Sequence, residues 1–190
     1  MPPKADIIGE LTADHRVAQR LFDRIRSAPP GSAQRGELVE RVTMELVGHT
    51  AVEKEYLYPA VRDHLPDGAR WVERELAGHD RVERILRDLE HLEPGDEEFA
   101  RLLPLLVAQV TAHLLEQEQR LFPRLGARCP APVLAELGEK VRRSRRTAPT
   151  RPRPDIPDLA PVTKAVSPGL GLLDRIRDRL TGRARRPADR

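Results

Sequence analysis

The sequence predicts an all-α protein, an antiparallel four-helix bundle formed by two repeated helical hairpins, with a flexible basic C-terminal tail. Three observations carry that prediction. Apolar residues recur at three- and four-residue steps through the first 140 positions, with no sustained period-two alternation. Turn signals stand far apart, APPGS at 28–32, LPDG at 65–68, EPGD at 93–96 and CPAP at 129–132. They leave four long segments, of roughly 24–31 residues, whose short connections favour antiparallel neighbours. Finally, the chain repeats itself at an offset of 64 residues.

The elements follow in order. In the first segment Ile8, Leu11, His15, Ala18, Phe22 and Ile25 share one helical face. The second gives Leu38, Val42, Glu45, His49, Glu53, Tyr56 and Ala60, the third Val72, Leu76, His79, Glu83, Leu86 and Leu89. The fourth gives Phe99, Leu103, Leu106, Val110, His113 and Gln117. Pro59, Pro104 and Pro123 should kink or end their helices, because proline removes a backbone donor and crowds the preceding turn. Shifting by 64 places His15 on His79, His49 on His113 and Pro59 on Pro123, so that HTAVEKEYLYP (49–59) recurs as HLLEQEQRLFP (113–123). Neither hairpin can bury a face alone, so the two should pair about a pseudo-twofold axis.

Composition narrows the class. The chain has 190 residues and a single cysteine, Cys129, which leaves no disulfide framework and no CxxC thiolate site. No run approaches a membrane span, and the N-terminus shows no apolar leader, so a cytoplasmic protein is expected. Residues 1–140 carry 19 basic against 25 acidic side chains, and residues 141–190 carry 14 against 5. The basicity therefore belongs to the tail. An acidic body with few aromatics gives little for nucleic acid to bind, beyond weak contact of any polyanion with the tail. The division is residues 1–143 as bundle and 144–190 as a Pro/Arg-rich linker with a short basic amphipathic helix. Over residues 169–186, Leu172, Leu173, Ile176 and Leu180 share a face, which reads as a frayed solvated helix or as a partner- or membrane-surface contact.

Each of the four segments carries one histidine on its inward stripe, and Glu53 follows His49 by one turn. Burying four imidazoles and several carboxylates without partners costs several kcal/mol per lone ionised acid, roughly. A pair of divalent or trivalent ions would remove that cost. Imidazole with carboxylate, and no thiolate, suits iron, manganese or zinc. His64 and His91 stand at helix C-termini, where an imidazolium complements the helix dipole, and are read as structural. Asp14 and Asp80 adjoin histidines in sequence but should point away from them, to the surface.

The set DH (14–15), HTAVEKEYLYP, GHDRVERIL (78–86) and HLLEQEQRLFP resembles the hemerythrin family, specifically the bacterial HHE cation-binding domain, over about residues 5–126. The resemblance implies a bundle holding two iron ions, a non-haem di-iron centre bridged by carboxylates and an oxo or hydroxo group. It implies His15, His49, Glu53, His79 and His113 as ligands. The second-half acid is displaced, because the position matching Glu53 is Gln117, flanked by Glu116 and Glu118. At 100° per residue, Glu118 lies about 140° from His113 and Glu116 about 60°, so helix geometry favours Glu116. The oxygen carriers place this acid five residues after the histidine, which favours Glu118, and Glu118 is assigned. Where those carriers have a fifth histidine this chain has Glu83, assigned as a further ligand whose alternative is pairing with a cation at the surface. Such an acid favours ferric iron and redox chemistry over reversible oxygen storage. Tyr56 is read as packing.

The implied function is binding of, or reaction with, a small oxidant (O2, hydrogen peroxide or nitric oxide) in oxidative or nitrosative stress defence. If the protein is an enzyme, the activity is catalase- or peroxidase-like. The alternative is an iron- or oxygen-sensing module that signals through its C-terminal tail.

Overall fold

The computed structural model describes residues 6–145, and in that span every element is helical. Helix α1, Ile7–Ser27, starts at Asp6, whose side chain accepts from the Gly9 N–H at 2.8 Å. Helix α2 is composite: Ala33–Val52, then a π-helical turn Glu53–Leu57, then Tyr58–His64. Ser32 caps its start by accepting from the Arg35 N–H at 3.2 Å. Helix α3 is Gly68–Glu90, and α4 repeats the build of α2 as Glu97–Glu116, a π-turn Gln117–Leu121 and Phe122–Arg128. The two π-turns are related by the 64-residue offset, so the repeat extends to backbone detail.

The prolines do not end their helices. Pro59 and Pro123 end nothing. Each sits in the first turn of the α-helix that resumes after a π-turn, where i→i+5 bonding has already changed the local register. Pro104 lies inside α4, which continues through it.

A fifth helix, α5 (Ala131–Ser144), adds to the four expected. Leu134 and Val141 are buried beside Ile7 and Leu11 of α1, so α5 completes the core at that end. Its far end is held by charge. Arg142 Nη1 lies 2.7 Å from Glu10 Oε1, and Arg145 reaches Glu10 Oε2 at 3.0 Å and Asp14 Oδ1 at 2.9 Å. Ser144 and Arg145, assigned by sequence to the linker, thus belong to the bundle. The remainder of the expected linker and amphipathic segment lies outside the described residues.

Hairpin loops close one end. Gly31 takes φ +71°, a backbone setting that favours glycine, and its repeat mate Gly95 packs against it. At the other end Gly68 permits the α2–α3 turn, since a Cβ there would fall 2.1 Å from the Val61 carbonyl oxygen.

Two apolar clusters fill the interior. One, toward the hairpin loops, includes Phe22, Ile25, Val42, Leu86, Phe99 and Leu106. The other includes Ile7, Leu11, Leu57, Val61, Val72, Leu121 and Leu125. The polar residues lie between them along the helices. Among the described residues one helix, Glu97–Arg128, is long and apolar enough to cross a membrane. Its inward Leu103, Leu106, Val110 and Leu114 account for much of that hydropathy, while Leu105 and Leu115 lie exposed.

Candidate metal centre

The repeat brings the four inward histidines together as two similar pairs. His15 and His49 meet edge-on, with ring centroids 5.0 Å apart and planes at 65°; His79 and His113 meet at 4.9 Å and 69°. Each pair is backed by an aromatic ring from repeat-related positions: Phe122 stacks on His15, and Tyr58 tilts over His79. Glu53, completely buried, touches three of the four. Its Oε1 is 3.4 Å from His49 Nε2, and its Oε2 lies 3.1 Å from His79 Nε2 and 3.8 Å from His113 Nε2.

Charge alternates round this carboxylate. Burial holds His15 down at about 4, with the neighbouring His49 adding to the effect. Burial also lowers His79 to about 4, against the pull of Glu53. At His49 burial works against the cation, but Glu53, helped by Asp14, wins and pushes it up to about 10. His113 is raised in the same way, with Glu53 and Glu75 overriding burial. Burial favours a neutral Glu53, yet His49, His113 and His79 hold it well below the usual carboxylate range.

The donor set is nitrogen and oxygen throughout. His49, Glu53 and His113 offer ligand atoms within 4.8 Å of one another. His15 Nε2, His49 Nε2 and Glu53 Oε2 are buried without a hydrogen bond. Neutral His15 donates Nδ1–H to Glu118 Oε1 at 2.7 Å, which leaves its Nε2 lone pair for another acid. Buried polar atoms left unsatisfied cost about 1–3 kcal/mol each. A cation meets that need, so these residues fit a metal of borderline or hard character.

A family model, the hemerythrin HHE cation binding domain, matches residues 6–125. The chain belongs to this HHE family. Among solved structures it is similar to the hemerythrin HHE cation binding domain-containing protein of Mycobacterium kansasii, a homologue of Rv2633c. That likeness has a TM-score of 0.65 at 23% identity and covers 75% of this chain and 86% of the other. It speaks to the fold. A comparison with curated proteins gives no match.

The HHE residues expected from sequence are not all in one place. His49, Glu53 and His113 form the tightest group, with His79 against Glu53 and His15 against His49. Glu118 stands at the edge and meets His15 on α1, not His113 on its own helix. Glu116, the alternative, points to the surface near Arg74 and Arg120, at 4.0 and 3.8 Å. Glu83 is buried one turn beyond His79, where the Lys54 ammonium lies 3.5 Å from its Oε1.

Four further residues of this HHE site were not assigned to it from the sequence, although Gln117 was placed on the inward stripe and Asp14 was read as a surface residue. Gln117 donates its amide to both Glu53 Oε1 at 2.6 Å and Glu75 Oε2 at 2.8 Å. Glu75 is buried, and burial raises its carboxyl above the usual range against the opposing pull of His113. Its signal was its place one turn before His79 on the same stripe. Tyr58, not Tyr56, reaches the site, with its hydroxyl 3.1 Å from His79 Nε2. The π-turn takes up an extra residue, so the fifth position after Glu53 comes inward. Asp14, expected at the surface, is half-buried with Oδ2 3.5 Å from His49 Nδ1. It faces the neighbouring helix, and its own neighbour His15 does not enter into that contact.

Proposed function

We propose that the protein is a non-haem di-iron hemerythrin-like protein of the cytoplasm. Its two hairpins compose an antiparallel four-helix bundle that binds or reacts with O2, hydrogen peroxide or nitric oxide in oxidative or nitrosative stress defence. The observation that carries this reading is the pairing of four histidines, one per helix, three of them against a fully buried Glu53, with inward nitrogens of His15 and His49 that lack hydrogen bonds. His15, His49, Glu53, His79, Glu83, His113 and Glu118 would hold the two ions. Iron when bound would supply a redox couple and a coordination position for the small ligand.

The chain's own residues set the conditions. Glu118 fixes the His15 tautomer by accepting its Nδ1–H. The Tyr58 hydroxyl brings a mobile proton next to His79. Apolar clusters flank the layer above and below. Elemental analysis of untagged protein purified without added metal or chelator tests the reading. About two iron per chain is expected; no metal after anaerobic ferrous reconstitution would overturn it. Rapid peroxide decay on adding the loaded protein would then favour a catalase- or peroxidase-like activity.

A second reading, an iron- or oxygen-sensing module acting through the tail, is favoured by one contact chain. Arg145, at the root of the tail, binds Asp14, and Asp14 faces His49. Metal-dependent protection of residues 146–190 from protease would support it.

A further inference from the structure

The four histidines are held from outside as well as from within, and the outer contacts do not obey the repeat. His49 and His113 are repeat mates, and each turns Nε2 toward Glu53. Each also turns Nδ1 toward a second carboxylate: Asp14 Oδ2 at 3.5 Å for His49, Glu75 Oε2 at 3.3 Å for His113. These acids are not repeat mates. The position matching Asp14 is Gly78, and the one matching Glu75 is Leu11. Both come from the preceding helix of their own hairpin, one from the position just before its histidine and the other from a full turn before. Shared ancestry of the two halves therefore does not account for the likeness. The same chemical arrangement has been reached at two different positions.

Each acid is itself held. Arg145 Nη2 lies 2.9 Å from Asp14 Oδ1. The Gln117 amide binds Glu75 Oε2 and, from the same nitrogen, Glu53 Oε1. Gln117 stands where the repeat would put an acid like Glu53, and as an amide it ties two carboxylates together instead of adding a third negative charge. A carboxylate on Nδ1 fixes an imidazole's tautomer and ring orientation, and leaves Nε2 as the donor.

We propose that Asp14 and Glu75 are positioning residues, one for each half of the centre, which fix His49 and His113 through Nδ1 and leave Nε2 for a metal, with Arg145 and Gln117 holding the two carboxylates. The proposal rests on the metal reading above, and deepens it by naming residues outside the ligand set on which affinity depends.

The test uses the full chain labelled with 15N-histidine and zinc alone as a diamagnetic probe. Zinc affinity by chelator competition and exchange of the imidazole Nδ1–H protons by NMR are read together. Wild-type protein is expected to take up zinc with the Nδ1–H of His49 and His113 protected from solvent. Asp14→Asn should expose the His49 proton alone, and Glu75→Gln the His113 proton alone. Each should weaken one zinc equivalent by roughly 10- to 100-fold. Asp14→Glu, which keeps the carboxylate, should retain both signals.

If the wild type loads and both variants keep protected protons and unchanged affinity, the positioning roles are wrong and the metal reading stands. If the wild type binds neither zinc nor ferrous iron, the metal reading itself falls, and the positioning roles with it. Should Asp14→Asn lose its helical circular dichroism, Arg145→Gln, at the bundle surface, decides that half: it should loosen His49 alone, and no effect there overturns the Asp14 role. Should Glu75→Gln do so, Gln117→Ala decides the other half: it should loosen His113 and leave the His49 proton protected, and no effect on His113 overturns the Glu75 role.

Discussion

Gln117→Glu restores the carboxylate that the repeat lacks in its second half, and its effect on stability should reverse with metal. In the metal-free protein the Gln117 amide donates at 2.6 and 2.8 Å to two buried carboxylates, Glu53 and Glu75. An ionised glutamate donates to neither. Hydrogen bonds to charged groups contribute about 1.5–3 kcal/mol each, so losing both should cost about 3–6 kcal/mol before repulsion among three acids is added. For a bundle of this size that is a fall of roughly 10–20 °C in melting temperature. Below the new acid's own pKa its carboxyl could donate one bond, so the deficit should shrink by about half in mild acid. A bound cation converts the third acid from liability to ligand, so the gap between loaded and metal-free melting temperatures should widen beyond the wild type's. Differential scanning calorimetry with and without metal at pH 5 and 7.5 measures all of this. A metal-free variant melting within a few degrees of wild type would show that Gln117 does not hold the two carboxylates together.

Four other perturbations separate the remaining parts of the argument. In the metal-free protein His15 and His79 sit at about 4, below the ordinary 6.5, so the unfolded chain takes up protons first and stability should fall as pH drops from 6.5 toward 4. His49 at about 10 acts oppositely, its contribution being full below 6.5 and lost as pH rises through 10. A melting temperature that does not peak near neutrality would contradict both shifts. Tyr58→Phe makes the two halves alike at this position, since Phe122 is its repeat mate; it should cost about 1 kcal/mol by chemical denaturation for the lost contact to His79. Gly68→Ala should lower soluble yield and melting temperature sharply, because its Cβ would meet the Val61 carbonyl oxygen at 2.1 Å; a wild-type melt would refute the tight-turn argument. Glu83→Ala should alter iron content and the visible spectrum if that acid is a ligand, and unchanged values would confine it to its contact with Lys54.

What was legible in the sequence is what the helical period and the repeat can express. The inward stripes through His15, His49, His79 and His113 each needed only a 3.6-residue count, and the 64-residue offset tied them into pairs. What escaped depended on departures from that count. Tyr58 is inward because of a π-turn, and no residue in EKEYL announces one; at 100° per residue the same count points to Tyr56. Helix α5 was hidden by its length, since Leu134, Leu137 and Val141 make two turns of pattern next to a basic run that reads as tail. Asp14 was misplaced because its surroundings were judged from its own helix, whereas its partners, His49 and Arg145, come from two others. Single-helix reasoning finds the residues that face the axis and passes over those that lie on the seams between helices.

The asymmetry of the seams is where the two halves of this chain have diverged. Their inner contacts are alike in kind: similar imidazole pairs, a backing ring at repeat-related positions, and a π-turn at the same offset. Around them, Glu53 faces Gln117, Lys54 corresponds to Glu118, and Leu11 to Glu75. The first half thus contributes a central acid, Glu53, with one peripheral acid, Asp14, and a peripheral cation, Lys54; the second contributes a central amide, Gln117, and three peripheral acids, Glu75, Glu83 and Glu118. Lys54 meets Glu83 across one seam while Glu118 meets His15 across the other, so the same backbone position neutralises an acid on one side and fixes a neutral imidazole on the other. Two ions held in such a scaffold would not be equivalent. His15 is held by a carboxylate, Glu118, at hydrogen-bond distance, whereas its repeat mate His79 meets the Tyr58 hydroxyl. Stepwise loading, with one equivalent retained under a chelator concentration that strips the other, is the expected consequence. Two equivalents lost together at every chelator concentration would mean that the common Glu53 dominates both positions and that the seams contribute little.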